Sequence, residues 1–124
     1  MERFTVNGKE VEFDPFDLEA MDNYLEGTAR IDEERRVKQE GETVTETLRR
    51  VCTAILDFFD DQLGDGKAEE LFGQWINVKT IFDGFMEFTG QVNARIGDYS
   101  NNLRVNQNAP ANRAQRREEK RRNR

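Results

Sequence analysis

Polar and apolar residues alternate near the start of the chain. Arg3-Phe4-Thr5-Val6 and Lys9-Glu10-Val11-Glu12-Phe13 each repeat with a period of two, and Asn7-Gly8 stands between them. Two such runs joined by Asn-Gly predict a β-hairpin with a two-residue turn, because both turn positions need a positive φ that Asn and Gly adopt at little cost. In that register Phe4 lies opposite Val11, and Val6 and Phe13 share their face, so one side of the ribbon is apolar. A lone two-stranded hairpin is marginal in water. The apolar side must pack on helices or pair with a neighbouring subunit.

The period then lengthens. Phe13-Asp14-Pro15-Phe16-Asp17-Leu18 reads as a helix start, with Asp14 as cap, Pro15 at the first helical position, Asp17 at the positive end of the dipole, and Phe13 and Leu18 spaced as a hydrophobic staple. The predicted helix runs from about Pro15 to about Gln39, with Leu18, Met21, Leu25 and Thr28 on one stripe and Tyr24 and Ile31 beside it. Its second half, Asp32-Glu33-Glu34-Arg35-Arg36 and Lys38, lacks a buried stripe. That half is expected to project into solvent or await a partner, with Gly27 loosening the junction.

Glu40-Gly41-Glu42 interrupts the pattern, and Thr43 with Glu46 has the spacing of a capping box for a second helix ending near Leu63. Val44, Leu48, Val51, Ile55, Phe58 and Phe59 make this the central core helix. Gly64-Asp65-Gly66 predicts a left-handed stop, followed by a short helix from Lys67 to Phe72 that ends at Gly73. Phe72, Trp75 and Ile76 then read as core plugs in preference to interface anchors. Asn77 is placed to cap a third long helix carrying Ile81, Phe82, Phe85, Phe88, Val92 and Ile96, which Asn101-Asn102 should end. From about Val105 large apolar residues almost vanish, which predicts a disordered tail. The expected architecture is mainly α (α+β): an N-terminal β-hairpin on a small bundle of three long helices and one short one over residues 1–104, and a disordered basic tail over residues 105–124.

A chain of 124 residues supports a single core. Met-Glu-Arg-Phe-Thr does not open a signal peptide, and no apolar run approaches the roughly 20 residues of a spanning helix, so the expected compartment is the cytoplasm, without membrane attachment. One cysteine excludes an internal disulfide, and the lack of histidine removes Ser-His-Asp and Cys-His nucleophiles, the usual zinc sites and the near-neutral proton shuttle.

Charge divides the chain in two. Arg113, Arg116, Arg117, Lys120, Arg121, Arg122 and Arg124 stand against Glu118 and Glu119, a net +5 over residues 105–124; residues 1–104 carry 12 basic and 23 acidic groups, a net −11. The tail is a candidate electrostatic element for nucleic acid, a protein surface or the chain's own acidic helix. Nucleic acid is the less favoured target, because an acidic body repels a polyanion and the tail has no aromatic residue to stack on bases.

Asp57, Asp60, Asp61 and Asp65 are a weak cation or acid-base candidate, since their spacing does not match a calcium loop and they fall opposite Phe58 and Phe59. Gly64-Asp65-Gly66-Lys67 lacks the spacing and the preceding strand of a phosphate loop. Cys52 falls on the apolar face, as a core thiol. No catalytic, cofactor-binding or metal-ligating residue is assigned, and the chain is not expected to be an enzyme.

The order of these features is similar to that of a known family. Phe4-Thr5-Val6-Asn7-Gly8-Lys9-Glu10-Val11-Glu12-Phe13-Asp14-Pro15-Phe16-Asp17, Ala54-Ile55-Leu56-Asp57-Phe58-Phe59-Asp60 and Leu71-Phe72-Gly73 followed by Asn77 resemble the small tail assembly chaperones of siphophages and prophages of Gram-positive bacteria, over about residues 3–100. The resemblance implies a viral morphogenesis protein of the host cytoplasm that coats the tape measure protein, helps recruit tail tube protein, and is absent from the mature virion. In that family a longer form often arises by ribosomal frameshifting. Apolar residues in excess of a slim core place the candidate protein-interaction and self-association surface on Phe4, Val6, Val11 and Phe13 of the hairpin and on Leu18, Met21, Tyr24, Leu25 and Ile31 of the first helix. The alternative is a phage or prophage nucleic-acid-associated protein acting through its Arg-rich tail.

Overall fold

The hairpin forms where Asn7-Gly8 predicted it. In the computed structural model, which describes residues 1–37 and 39–122 and side chains as far as residue 103, β1 (Glu2–Val6) pairs antiparallel with β2 (Lys9–Phe13), Phe4 opposite Val11 and Val6 opposite Lys9. Asn7 at φ 50° and Gly8 at φ 77° supply the two left-handed residues of the turn. Phe4, Val6, Val11 and Phe13 are buried, so the chain's own helices cover the apolar side of the ribbon.

The first helix differs from its sequence prediction in several ways. The Asp14 carboxylate accepts the Phe16 N–H at 3.1 Å, and this local turn delays α1 (Leu18–Arg36), whose N-cap is Asp17. Leu18 is exposed, so no staple forms with Phe13. The buried stripe runs through Tyr24 and Ile31, with Ala20, Gly27 and Glu34 half-buried on the same side, while Leu18 and Leu25 point away. Gly27 is a contact point, not a loose joint: a Cβ there would lie 2.7 Å from Cδ1 of Phe58. The second half of α1 is also held down, by Arg50, whose guanidinium donates to the Glu34 carboxylate, to the Glu34 and Val37 carbonyls at 3.1 and 2.8 Å, and to both Glu42 carboxylate oxygens at 3.0 Å.

α2 (Val44–Leu63) keeps its predicted limits. Thr43 and Glu46 make the reciprocal capping box, and Gly64 and Gly66, at φ 118° and 84°, end the helix and begin the next. Val44 is a correction, because it sits at the exposed first position, ahead of where the buried face begins. α3 (Lys67–Phe72) starts with the Ala68 N–H donating to Oδ1 of Asp60 at 2.9 Å, so one member of the acidic cluster caps a neighbouring helix. Gly73 at φ 78° then turns the chain, the Phe72 ring packs tilted against Phe59 with centroids 5.2 Å apart, and Trp75 is left 86% exposed. The core-plug expectation fails for Trp75 and for Ile76, which is 41% exposed, because Leu71 and Phe72 already occupy the adjoining core.

Asn77 accepts the Thr80 N–H at 3.0 Å and begins α4 (Val78–Arg122). Asn101-Asn102 does not end the helix; asparagine is a poor helix former, but without a positive φ or a following proline it is no stop. The disorder expected over residues 105–124 lies outside the residues whose side chains are described. Phe88 of α4 is the hub of the core, with ring centroids 5.4 to 6.2 Å from Phe4, Phe13, Tyr24, Phe58 and Phe59. Edge-on and tilted pairs of this kind add about 0.5–1.5 kcal/mol each beyond burial.

The chain divides into two units, Met1–Val92 and Asn93–Arg124. The first holds the hairpin, α1 to α3 and the start of α4; the second is the rest of α4, with Tyr99 and Leu103 exposed. Among the described residues no helix is long and apolar enough to cross a membrane.

Candidate protein-interaction surface

Of the nine residues the sequence singled out for protein contact, Phe4, Val6, Val11, Phe13, Tyr24 and Ile31 are buried in the chain's own core. Met21 is half-buried, and Leu18 and Leu25 are 75% and 53% exposed. The arrangement therefore separates two stripes on α1. One, through Tyr24 and Ile31, holds the helix to the protein. The other, through Leu18, Met21 and Leu25, reaches the surface.

The neighbours of α1 fix where the outer stripe runs. Gly27 meets Phe58, and the Asn23 carbonyl accepts from the Gln62 amide at 3.3 Å, so α2 lies along one flank. The Tyr24 hydroxyl donates to the Thr89 carbonyl at 3.4 Å and the Arg35 guanidinium stands 6.0 Å over the Phe82 ring, so α4 lies along the other. At about 100° per residue, Met21, Leu25 and Thr28 fall on the flank of α1 nearest α4, and Phe82, Met86 and Thr89 on the facing flank of α4. Met86 is 59% exposed, and Phe82, Thr28 and Thr89 are half-buried. An apolar seam edged with hydroxyls thus follows the outside of the α1–α4 pair, with exposed Asp22 and Asp32 beside it on α1.

Phe82 was expected on the core-facing repeat of this helix, and Met86 was assigned to no face. Phe82, Met86 and Thr89 nevertheless repeat at i, i+4, i+7, a second stripe beside Phe85 and Phe88 that signals a helix with two faces to cover.

The electrostatics of the rest are structural. Glu42 is held down to about 2, from an ordinary value of 4.5, chiefly by the hydrogen bond from Arg50. Arg50 is in turn pushed further up by Glu42 and Glu34. Burial pushes the Tyr24 hydroxyl up to about 12 and raises the Cys52 thiol, which leaves the buried Cys52 a poor nucleophile. Asp57, Asp61 and Asp65 are exposed, and among the described residues no group of three or more acidic or cysteine side chains is placed to hold a metal ion. The side chains of Arg113, Arg116, Arg117, Lys120, Arg121, Arg122 and Arg124 lie outside the described residues.

A family of unknown function (DUF6673) matches residues 7–120. No curated protein and no solved structure matches the chain.

Proposed function

The chain belongs to DUF6673, and from its surface we propose that it is a tail assembly chaperone of a siphophage or prophage, which binds the tape measure protein and assists tail tube assembly without catalysis. The observation that carries this reading is the exposed apolar seam, with Leu25 and Met86 more than half exposed on a body of net charge −11. Large apolar side chains in a contiguous line on a helix pair suit the apolar face of a client helix. The acidic exterior keeps the loaded complex soluble. Leu18 at one end of α1 and Trp75 in the α3–α4 connection offer further apolar contact. The compartment in this reading is the host cytoplasm, and the mature virion lacks the protein.

The test is co-expression with a siphophage tape measure protein. The wild-type chain should keep that client in the soluble fraction and co-purify with it. Leu25→Asp with Met86→Asp should lose it while the circular dichroism melt stays unchanged, since both positions are exposed. A client equally soluble with and without the chain would sink the reading. Substituting Phe4 or Val11 is no substitute test, because both are core residues.

The net +5 of residues 105–124 supports the second reading, a nucleic-acid-associated phage protein. Filter binding at low and moderate salt separates the two. Retention of DNA or RNA that vanishes when Arg113, Arg116, Arg117, Arg121 and Arg122 become Gln favours the second.

A further inference from the structure

The two edges of the hairpin are treated differently. In the observed register Val6 faces Lys9 across a two-residue turn, so Glu2, Phe4 and Val6 exchange hydrogen bonds with Phe13, Val11 and Lys9. The backbone groups of Thr5 therefore point outward from β1, and those of Glu10 and Glu12 outward from β2. On β1, Gln91 of α4 imitates a neighbouring strand: its Oε1 accepts the Thr5 N–H at 3.0 Å and its Nε2 donates to the Thr5 carbonyl at 2.6 Å, while Glu87 accepts the Asn7 N–H at 2.9 Å. On β2, among the described residues, the outward N–H and C=O groups of Glu10 and Glu12 have no such partner.

Along that unpaired edge runs an open groove of about 600 Å³, lined by Glu10, Glu12 and Asp14 of the hairpin and its exit, by Asp17 and Ala20 at the start of α1, and by Gln62, Leu63 and Lys67 where α2 ends and α3 begins. We infer that the outer edge of β2 receives an extended segment of another polypeptide, alternating apolar and Lys/Arg residues, as a third antiparallel strand. This rests on the hairpin edge and the groove beside it and is independent of the α1–α4 seam.

The occupant follows from the chemistry. Glu10 and Glu12 project on the solvent face of the ribbon, where Arg3 at 3.4 and 3.8 Å is shared between them, and Asp14 and Asp17 continue the negative charge beyond the strand. A strand laid beside β2 sets its outward residues directly across from Glu10 and Glu12, where Lys or Arg is stabilising and an acidic residue is not. Its inward residues meet half-buried Ala20 and Leu63 and should be apolar. A second copy of this hairpin suits the edge poorly, because two β2 strands side by side bring Glu10 and Glu12 against the same residues of the copy. Main-chain hydrogen bonds would supply affinity, and alternation of side chains the selectivity.

The experiment is fluorescence anisotropy on the full chain with a labelled peptide alternating valine and lysine, the same peptide N-methylated at every second residue, and a valine–glutamate counterpart. N-methylation removes ladder N–H groups and keeps the charge. The expected result is binding of the first peptide, at least about tenfold weaker binding of the methylated one, and none of the acidic one. Glu12→Pro should abolish binding with little change in the melt, since the N–H it removes is unpaired at an edge. Equal binding of the methylated peptide means attraction of charge alone and overturns the strand assignment, and this comparison holds even if Glu12→Pro fails to fold. Two other results overturn the choice of occupant: a dimer in light scattering that Glu12→Pro dissociates, or peptide binding that emerges only once Arg113, Arg116 and Arg117 are changed to Gln.

Discussion

Replacing Gly27 by alanine tests the packing of α1 on α2 with a built-in control. In an exposed helix interior Gly→Ala stabilises by about 0.8–1.0 kcal/mol, because alanine has less backbone freedom to lose. At Gly27 the added Cβ lies 2.7 Å from Cδ1 and 3.0 Å from Cε1 of Phe58, about 0.7 Å inside ordinary contact. The ring cannot swing aside easily, since it is buried with Phe59 at 5.5 Å, Phe85 at 5.4 Å and Phe88 at 6.0 Å. Overpacking of this kind costs about 1–3 kcal/mol, so the net change should be a destabilisation of roughly 0–2 kcal/mol. Gly90 on α4 has nothing within 4 Å of its added Cβ and should show the helix gain alone. Urea unfolding of both variants reads the difference, expected at about 1–3 kcal/mol with Gly27→Ala the less stable. Equal stabilisation by the two substitutions would refute the close approach. Phe58→Leu in the Gly27→Ala background should recover part of the loss relative to Phe58→Leu alone, because it removes the atoms that clash.

Phe88→Ala opens the middle of the aromatic cluster and should cost about 3–5 kcal/mol, a large share of the 5–15 kcal/mol that holds a domain together; a loss under about 1 kcal/mol in urea unfolding would show that the hub collapses without consequence. Glu42 has a folded value near 2 against 4.5 when unperturbed, so its stabilisation is present above pH 4.5 and drains away as pH falls towards 2. Glu42→Gln should accordingly flatten the pH dependence of the urea midpoint over that window, and an unchanged slope would mean that another carboxylate governs it. Buried Cys52 should react with a thiol reagent only as fast as the protein opens, with urea accelerating labelling along the unfolding curve; rapid labelling in native buffer would contradict its burial.

Local chemistry made some elements readable and left others hidden. Asn7-Gly8, the Thr43–Glu46 box, the glycines at 64, 66 and 73 and the Asn77 cap each act through residues within a few positions of one another, and each stands where the sequence put it. The face of α1 was misread because the true core stripe contains Gly27 and Glu34, which no hydropathy count scores as buried. Gly27 faces inward because it is small, and Glu34 because Arg50 meets it from sixteen residues away. The same long reach hid the role of Asp60, whose partner is Ala68 in the next helix. Of the candidate contact residues, those alternating in the hairpin proved interior, and the surface seam needed α4 to be set beside α1 before Met86 could be grouped with Leu25.

The side-chain amide of Gln91 closing over Thr5 bears on how the protein behaves when crowded. Stacking of ribbons into fibrils requires two exposed faces per molecule, one to receive and one to offer. With β1 occupied from within, any encounter through backbone pairing ends at the first addition, so growth terminates instead of propagating. Gln91→Ala would unplug that side and turn a self-limiting molecule into one capable of chain-wise aggregation.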